Sequence, residues 1–168
     1  MKEKIEDALK KAIKMEEEGK QFYLEVAKEA KSILVKKVFE QLAQEEDLHI
    51  KKINEVYALL KEKKPLKWIT SIGNPSRVQK VFQESLVEQA KASSDEIEAL
   101  RFALNREEES IKYYEALAEQ TEDNKEKRFY LALFREERDH YLIILDSIEY
   151  LTDPAGWSQL HEKTLLEG

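Results

Sequence analysis

Two Glu-x-x-His motifs stand 91 positions apart in the sequence. They are Glu46 with His49 and Glu137 with His140, in a chain that has only 3 histidines. Residues i and i+3 share one face of a helix, with Cβ atoms roughly 5–6 Å apart, so the carboxylate and imidazole of one motif can bind the same metal ion. The two motifs therefore predict a site for two metal ions with carboxylate and histidine ligands.

The shift of 91 also relates two further glutamates and the residues that follow them. Glu16 and Glu107 each precede a motif glutamate by 30 positions, and Phe22-Tyr23 corresponds to Tyr113-Tyr114. The chain is therefore predicted to contain two copies of one helix pair, in which the first helix supplies a glutamate and the second a Glu-x-x-His. The six predicted ligands are Glu16, Glu46, His49, Glu107, Glu137 and His140.

Each upstream glutamate belongs to a run of three, and its neighbours indicate which member faces inward. The residues seven and four before Glu16, and three and seven after it, are Leu, Ala, Gly and Tyr, a pattern typical of a buried helical seam. At the same offsets Glu18 has Lys, Lys, Gln and Glu, which is typical of a solvated face. We therefore expect Glu16 and Glu107 to face the core. The remaining members of the two runs, Glu17, Glu18, Glu108 and Glu109, should lie at the rim or in solvent.

Electrostatics favours metal at these positions. Four ionised carboxylates in a bundle core would cost several kcal/mol each after relaxation. Two divalent cations cancel the four negative charges while both histidines stay neutral. Metal-free protein is therefore expected to be less stable than loaded protein.

Composition and periodicity predict the fold. Charged residues make up 38% of the chain and hydrophobic residues 42%, with only 4 glycines and 3 prolines, which is typical of long helices. Apolar stripes predict helices at about 4–30, 34–61, 94–119 and 125–151. A crossover at 62–93 should contain a short helix, and residues 152–168 should form a tail. Ser93 and Glu96 have the spacing of a capping box. Two antiparallel helix pairs joined by one long crossover predict an all-α four-helix bundle in a single domain, 1–168.

Several classes of protein are disfavoured. The net charge is −7, and along the sequence no Lys/Arg cluster stands clear of compensating acids, so we expect no nucleic-acid partner. No apolar run has the length of a membrane span and the amino terminus has no signal-peptide pattern, so we expect a cytoplasmic protein with no membrane association. The absence of cysteine excludes disulfides and thiol chemistry.

The third histidine, His161, lacks a glutamate three positions before it and is expected not to bind metal.

At the predicted ligands the chain resembles the ferritin-like diiron-carboxylate superfamily, most closely the erythrin domain of rubrerythrins. The resemblance covers about residues 5–151. It is carried by EEEGKQFY at 16–23 with EDLH at 46–49, and again by EEESIKYY at 107–114 with ERDH at 137–140. One Glu from each of two helices and a Glu-x-x-His from each of the other two is the ligand pattern of that superfamily. The resemblance therefore implies a ferritin-like bundle.

The resemblance also implies roles for the ligands and two tyrosines. Glu46 and Glu137 would bridge the two ions, and the other four ligands would each bind one ion. Tyr23 and Tyr114 match tyrosines that donate hydrogen bonds to ligand carboxylates in relatives. The alternative for both tyrosines is a purely structural place in the core.

Three other positions qualify the resemblance. Glu45 and Glu136 precede the bridging glutamates and could accept the distal N–H of a ligand histidine, but we expect both at the solvated rim. Rubrerythrins have an additional glutamate ligand where this chain has Ser110. The six-ligand set is therefore more similar to that of bacterioferritin, which weakens the expectation of a peroxidase.

The resulting expectation is a non-haem protein with two iron ions that reduces hydrogen peroxide or O₂. Manganese is the alternative metal, and zinc could substitute for either. Electrons would come from an external donor such as a rubredoxin-like protein. The main alternative is an iron-binding ferroxidase, followed by a manganese catalase, a diiron hydroxylase and a helical interaction protein with a vestigial site. The oligomeric state stays open, and a homo-oligomer is among the alternatives.

Overall fold

The computed structural model describes residues 2–69, 71–73, 75–86 and 91–166. Residues 70, 74 and 87–90 of the expected crossover and 167–168 of the expected tail lie outside this range. The described residues form helices and no strands, and none of these helices is both long and apolar enough to cross a membrane. The helices are α1 (Lys2–Glu29), α2 (Ile33–Lys61), α3 (Pro75–Ser85), α4 (Ser94–Gln120), α5 (Asn124–Thr152) and α6 (Pro154–Leu166).

The four long helices form two hairpins. α1 packs along α2 and α4 packs along α5, while contacts across the two pairs are fewer. The crossover between the hairpins includes α3, which packs against α2 and α5. The prediction of an all-α ferritin-like bundle, with two antiparallel pairs and a long crossover, is confirmed.

The apolar core is divided into two clusters at opposite ends of the bundle. The larger cluster joins the start of α2 with the ends of α1 and α5, and it includes Val38, Phe39 and Ile144. The smaller cluster joins the start of α1 with the end of α2, and it includes Leu9 and Ile53. The middle of the bundle is left between the clusters, where side chains are buried but not apolar.

A capping box begins α4 and also holds the loop between α1 and α2. Ser93 accepts the N–H of Glu96, and the Glu96 carboxylate accepts the N–H of Ser93 at 2.8 Å, so the predicted capping box is confirmed. The same carboxylate accepts the N–H groups of Lys31 and Ser32, each at 2.8 Å. Glu96 therefore holds the loop between α1 and α2 against the start of α4.

The expected tail is instead the helix α6. Asp153 donates its N–H to the carbonyl of Glu149 and accepts the N–H of Gly156 at 3.0 Å, so it ends α5 and caps α6. Pro154 suits the first position of α6 because that position needs no N–H donor. Trp157 then packs edge-on against Tyr150, with ring centroids 5.3 Å apart. The Asp-Pro step that was interpreted only as a stop also starts the next helix.

Replacing Glu96 by glutamine should destabilise the protein in a pH-dependent way. Burial alone would raise the pKa of Glu96, but the N–H groups of Ser32, Ser93 and Lys31 outweigh it and lower the pKa. We expect Glu96→Gln to lose about 1 kcal/mol in the free energy of unfolding at pH 7. Because the folded-state pKa is lowered, this stabilisation is complete above about pH 4.3 and disappears as the pH falls through the folded value.

Urea unfolding of both proteins at pH 7 and near pH 3.5 measures the difference. Glu98→Gln is the control, because Glu98 is exposed in the same helical turn. A Glu96→Gln loss that stays constant between the two pH values would contradict the charged-cap interpretation.

Candidate metal centre

A layer of polar side chains crosses the bundle between the two apolar clusters. It contains one predicted ligand on α1, one on α4, and two on each of α2 and α5. All of them are at most 3% exposed. The fold brings together every predicted ligand: Glu16, Glu46, His49, Glu107, Glu137 and His140.

In each hairpin the two ligand glutamates lie at the same height along the bundle, because they are equally far from the loop. Glu16 lies 13 residues before the end of α1, and Glu46 lies 13 residues after the start of α2. The same count separates Glu107 from the end of α4 and Glu137 from the start of α5. At about 1.5 Å per residue each glutamate is about 20 Å from its loop. Antiparallel helices therefore place the two glutamates of each hairpin side by side.

The ligands form two overlapping groups of four, and the ligand atoms of each group lie within 4.8 Å of one another. Glu16 and His49 belong only to the first group, whereas Glu107 and His140 belong only to the second. Glu46 and Glu137 belong to both. This sharing is the arrangement that two carboxylate-bridged ions require.

The two imidazoles stack at the α2–α5 side of the centre, with ring centroids 5.5 Å apart. Nδ1 of His49 lies 3.2 Å from Glu16 and 3.0 Å from Glu137, while its Nε2 lies 3.0 Å from Oε2 of Glu136. Nδ1 of His140 lies 3.6 Å from Glu46. Nδ1 is therefore the ring nitrogen that faces the predicted ligand carboxylates, and Glu136, as the acceptor at Nε2 of His49, leaves Nδ1 of His49 free to bind a metal.

Several atoms in this layer lack a hydrogen bond although they are buried. They are Oε2 of Glu107, Oε1 of Glu137 and Nδ1 of His140. Oε1 of Glu137 is close to Nδ1 of His49 but is not aligned for a hydrogen bond. Burying such groups without partners is unfavourable, and carboxylate oxygens and an imidazole nitrogen are metal ligands. These residues therefore fit a pair of divalent cations.

Burial, followed by charge repulsion, sets the electrostatics of the metal-free layer. Burial raises the pKa of Glu16, Glu107 and Glu137, and the neighbouring charge of Glu46 raises it further. For Glu46 itself burial would raise the pKa, but hydrogen bonds from Glu16 and the two histidines lower it. The histidine pKa values are raised because their carboxylate contacts outweigh burial. Without metal, protons must supply the positive charge that the four carboxylates need.

Two buried tyrosines donate hydrogen bonds across the bundle to Glu16 and Glu107, the two glutamates that each belong to only one ligand group. The hydroxyl of Tyr23 on α1 donates to Glu107 on α4, and that of Tyr114 on α4 donates to Glu16 on α1. Burial and the nearby carboxylates raise the pKa of both tyrosines, so they stay protonated donors. Of the two alternatives drawn from the sequence, the geometry favours donors that also fill the core.

Glu45 and Glu136 do not lie at the solvated rim as expected. Glu45 is 0% exposed and Glu136 is 4% exposed. The crossover covers them, because Glu136 accepts the N–H groups of Ile72 and Gly73, each at 2.6 Å. Gln41 donates to Glu45 at 3.0 Å. The expectation was wrong because both face a segment whose path the helix pattern does not specify.

The other polar residues lie where the sequence pattern indicates. The remaining members of the two glutamate runs are exposed, and Ser110 is half-buried on α4. His161 stacks on Trp157 in α6, with ring centroids 3.8 Å apart, far along the chain from the centre. The sequence did not indicate Ser71, Ile72 and Gly73, which donate to Glu136 from the hydroxyl of Ser71 and the backbone N–H groups of the other two. A glycine shortly before Pro75 was the only signal for them.

Glu16→Gln should separate stability from metal binding. It replaces a buried carboxyl, whose raised pKa forces the metal-free fold to take up a proton, with a neutral amide of similar shape, so we expect the free energy of unfolding of metal-free protein at pH 7 to rise by about 1 kcal/mol. Metal affinity should fall at least about 10–100-fold, which is typical even for the loss of an outer partner. The control Glu17→Gln changes the exposed neighbour. Denaturation and metal titration of both variants test this, and a destabilised metal-free Glu16→Gln protein would contradict it.

Gly73→Ala should disturb the crossover where it covers the centre. An ideal Cβ at Gly73 would collide with carboxylate oxygens of Glu45 and Glu136. We expect a loss of about 1–3 kcal/mol and faster hydrogen exchange at the Ile72 amide. In the control Gly19→Ala, the new Cβ would lie 3.6 Å from Arg106, an ordinary contact within a helix. That change should gain up to about 1 kcal/mol. Equal effects of the two substitutions would contradict the steric argument.

Comparison with known proteins agrees with this geometry. The Rubrerythrin family model matches residues 7–148. This range includes the six predicted ligands on the four long helices. Neither the curated proteins nor the solved structures contain a significant match to this chain. The matched segment covers most of the chain and contains both overlapping ligand groups. The chain therefore belongs to the rubrerythrin family.

Proposed function

We propose that this protein binds a pair of iron ions at the six-residue centre and reduces hydrogen peroxide or O₂ with electrons from a separate donor protein. The observation that carries the proposal is the overlap of the two ligand groups at Glu46 and Glu137. Two carboxylates common to both groups can each offer one oxygen to each ion. This supports a bridged pair of ions rather than two unrelated sites.

The donor set supports iron or manganese as the resident metal. Four carboxylates and two imidazoles make an oxygen-rich shell that suits iron and manganese better than a thiolate-binding metal. Two divalent ions would also replace the protons that the metal-free carboxylates and histidines hold. Iron is proposed because the chain belongs to the rubrerythrin family. Zinc would satisfy the charge balance but has no redox chemistry.

The chemistry that a bound ferrous pair supplies is two electrons, which with two protons convert one hydrogen peroxide to two waters. The protein's own part is orientation and exclusion of water. Glu136 accepts the Nε2 proton of His49 and so keeps Nδ1 toward the carboxylates. Tyr23 donates to one carboxylate oxygen of Glu107 and Tyr114 to one of Glu16, which leaves the other oxygen of each glutamate available to a metal ion. The two apolar clusters close the layer from both ends.

A ferroxidase is the alternative that one observation favours. Ser110 is half-buried on α4 one turn after Glu107, where the resemblance to rubrerythrins calls for another glutamate ligand. A serine hydroxyl cannot replace a carboxylate that changes its binding with the oxidation state of the metal. A centre of six ligands would therefore oxidise Fe(II) and hand it on, with O₂ as the oxidant.

Anaerobic titration with Fe(II) tests the metal centre. We expect saturation at two ions per chain and, at a free Fe(II) concentration of 100 times the dissociation constant, a rise of about 5–10 °C in the unfolding midpoint. Glu46→Gln with Glu137→Gln should abolish the rise, whereas Glu17→Gln should leave it intact. An unchanged midpoint for the unsubstituted protein would mean that the centre is vestigial.

Stopped-flow mixing of ferrous protein with hydrogen peroxide and with O₂ distinguishes the two reactions. Faster oxidation by peroxide is expected for the peroxide-reducing role. Faster oxidation by O₂, together with a shell-like particle mass, would favour the ferroxidase. Elemental analysis of protein purified anaerobically decides between iron and manganese.

A further inference from the structure

A groove of about 500 Å³ lies on the outer face of α5, where the crossover passes over it. The side chain of Trp68 forms one wall and is 59% exposed. We call this surface the Trp68 groove. It is lined by Trp68, Ile69, Asn124, Lys127, Arg128, Leu131 and Arg135. A large exposed aromatic ring beside arginines is typical of protein interfaces.

The Trp68 groove is basic although the protein is acidic. Three of its lining residues are cations and none is an acid. The guanidinium of Arg128 lies 4.8 Å from the centroid of the Trp68 ring, and the ammonium of Lys125 lies 5.9 Å from it. Within the part of the chain that the structure describes, Lys125, Lys127, Arg128 and Arg135 form no ion pair. Against a net charge of −7, this is a local concentration of positive charge.

The acids that alternate with these cations in the sequence point elsewhere. Glu126 is buried and accepts a hydrogen bond from Thr121 at 2.8 Å. Glu136 and Glu137 are buried toward the centre. Asp123 accepts N–H groups at the start of α5. Helix geometry therefore turns Glu126, Glu136 and Glu137 inward and leaves an outward basic stripe on α5, so the compensation expected from the sequence is incomplete on this face.

Acids on the neighbouring elements are also mostly engaged. Glu55 pairs with Lys52 at 2.7 Å, and Glu62 pairs with Lys64. Two exposed acids border the indole, Glu122 and Asp123, and neither forms an ion pair in the described residues. These two carboxylates do not cancel the four cations Lys125, Lys127, Arg128 and Arg135.

The duplication provides an internal comparison for this surface. The positions 91 before Lys127 and Arg128 are Lys36 and Lys37, which are also adjacent exposed cations on a helix. The crossover places Trp68 against the α5 pair. In the described residues no aromatic ring contacts Lys36 or Lys37 as a cation–π partner. The two pairs therefore match in charge and differ in their surroundings.

The Trp68 groove connects directly to the metal centre. The chain continues from Trp68 to Ile72 and Gly73, which donate to Glu136, and Arg135 is the residue before Glu136. Glu136 in turn contacts His49. Four residues of extended chain span at most about 14 Å, so the groove is close to the histidine side of the centre.

We propose that the Trp68 groove docks an acidic protein that carries one electron at a time and reduces the metal centre. This inference rests on the proposed redox function. Each docking event oxidises one reduced carrier and delivers one electron, so two events replace the two electrons given to one peroxide. The basic groove attracts an acidic carrier, whereas the rest of the acidic surface repels it. The carrier is thereby directed to the one face adjoining Glu136.

Binding of an acidic rubredoxin, used in its oxidised form as the probe, tests the docking surface. The dissociation constant is measured by NMR titration with metal-free and with loaded protein. We expect Lys127→Glu with Arg128→Glu to weaken binding at least about tenfold. Lys36→Glu with Lys37→Glu makes the same change in net charge and should weaken binding by no more than about twofold. Trp68→Ala should weaken binding with the charge unchanged, and thermal melts verify that each variant is folded.

Equal weakening by the two double variants, or no binding of the probe to the unsubstituted protein, would overturn the proposal. So would binding of a basic cytochrome as tight as that of the acidic probe. Anionic vesicles and duplex DNA are run in parallel, and a stronger groove-dependent binding to either would assign the surface to that partner instead. The peroxide reaction of the unsubstituted ferrous protein is measured separately. Its failure would reject the proposed function while leaving the binding result intact.

Discussion

Repulsion among four buried carboxylates is the constraint on which the structure depends. Apolar clusters on both sides keep water away from the layer and so strengthen every interaction between its charges. Burial first, and repulsion in addition, raise the pKa values of Glu16, Glu107 and Glu137, so the metal-free protein takes up protons in this layer. Two bound divalent cations would neutralise the four carboxylates without protonating them. Stability of the empty bundle and capacity for metal are therefore opposed properties of the same side chains.

The duplicated hairpins make the centre nearly symmetric, whereas the crossover makes its two sides different. Each tyrosine supports the glutamate of the other hairpin, and each hairpin supplies one carboxylate to both ligand groups. The crossover has no counterpart in this symmetry. Its backbone donates to Glu136 and its indole lies against α5, so one side of the centre is covered by chain and flanked by a basic groove. The two sides of the centre therefore differ in how they are covered and in the charge beside them.

Local patterns predicted the features that a single helix controls. The capping box at Ser93, the approximate helix ends and the inward choice of Glu16 over Glu18 all follow from periods of three to four residues. The helix that follows Asp153 and Pro154, and packs Trp157 on Tyr150, was not predicted. A prediction was wrong where two segments far apart in sequence meet. Glu45 and Glu136 were assigned to the rim because nothing in their helices indicates the segment that covers them.

Helix periodicity and the repeat of 91 are sufficient to specify the four-helix bundle and the six residues that meet in its middle. Both follow from residues spaced by whole turns, and an antiparallel hairpin aligns positions at equal distances from its loop. The path of the crossover follows no such period. The sequence does not indicate which groups the backbone N–H donors and the tryptophan of the crossover will contact. These contacts form only when the crossover packs against α5. Tertiary structure alone therefore decides which side of the centre is covered and where positive charge collects on an acidic protein.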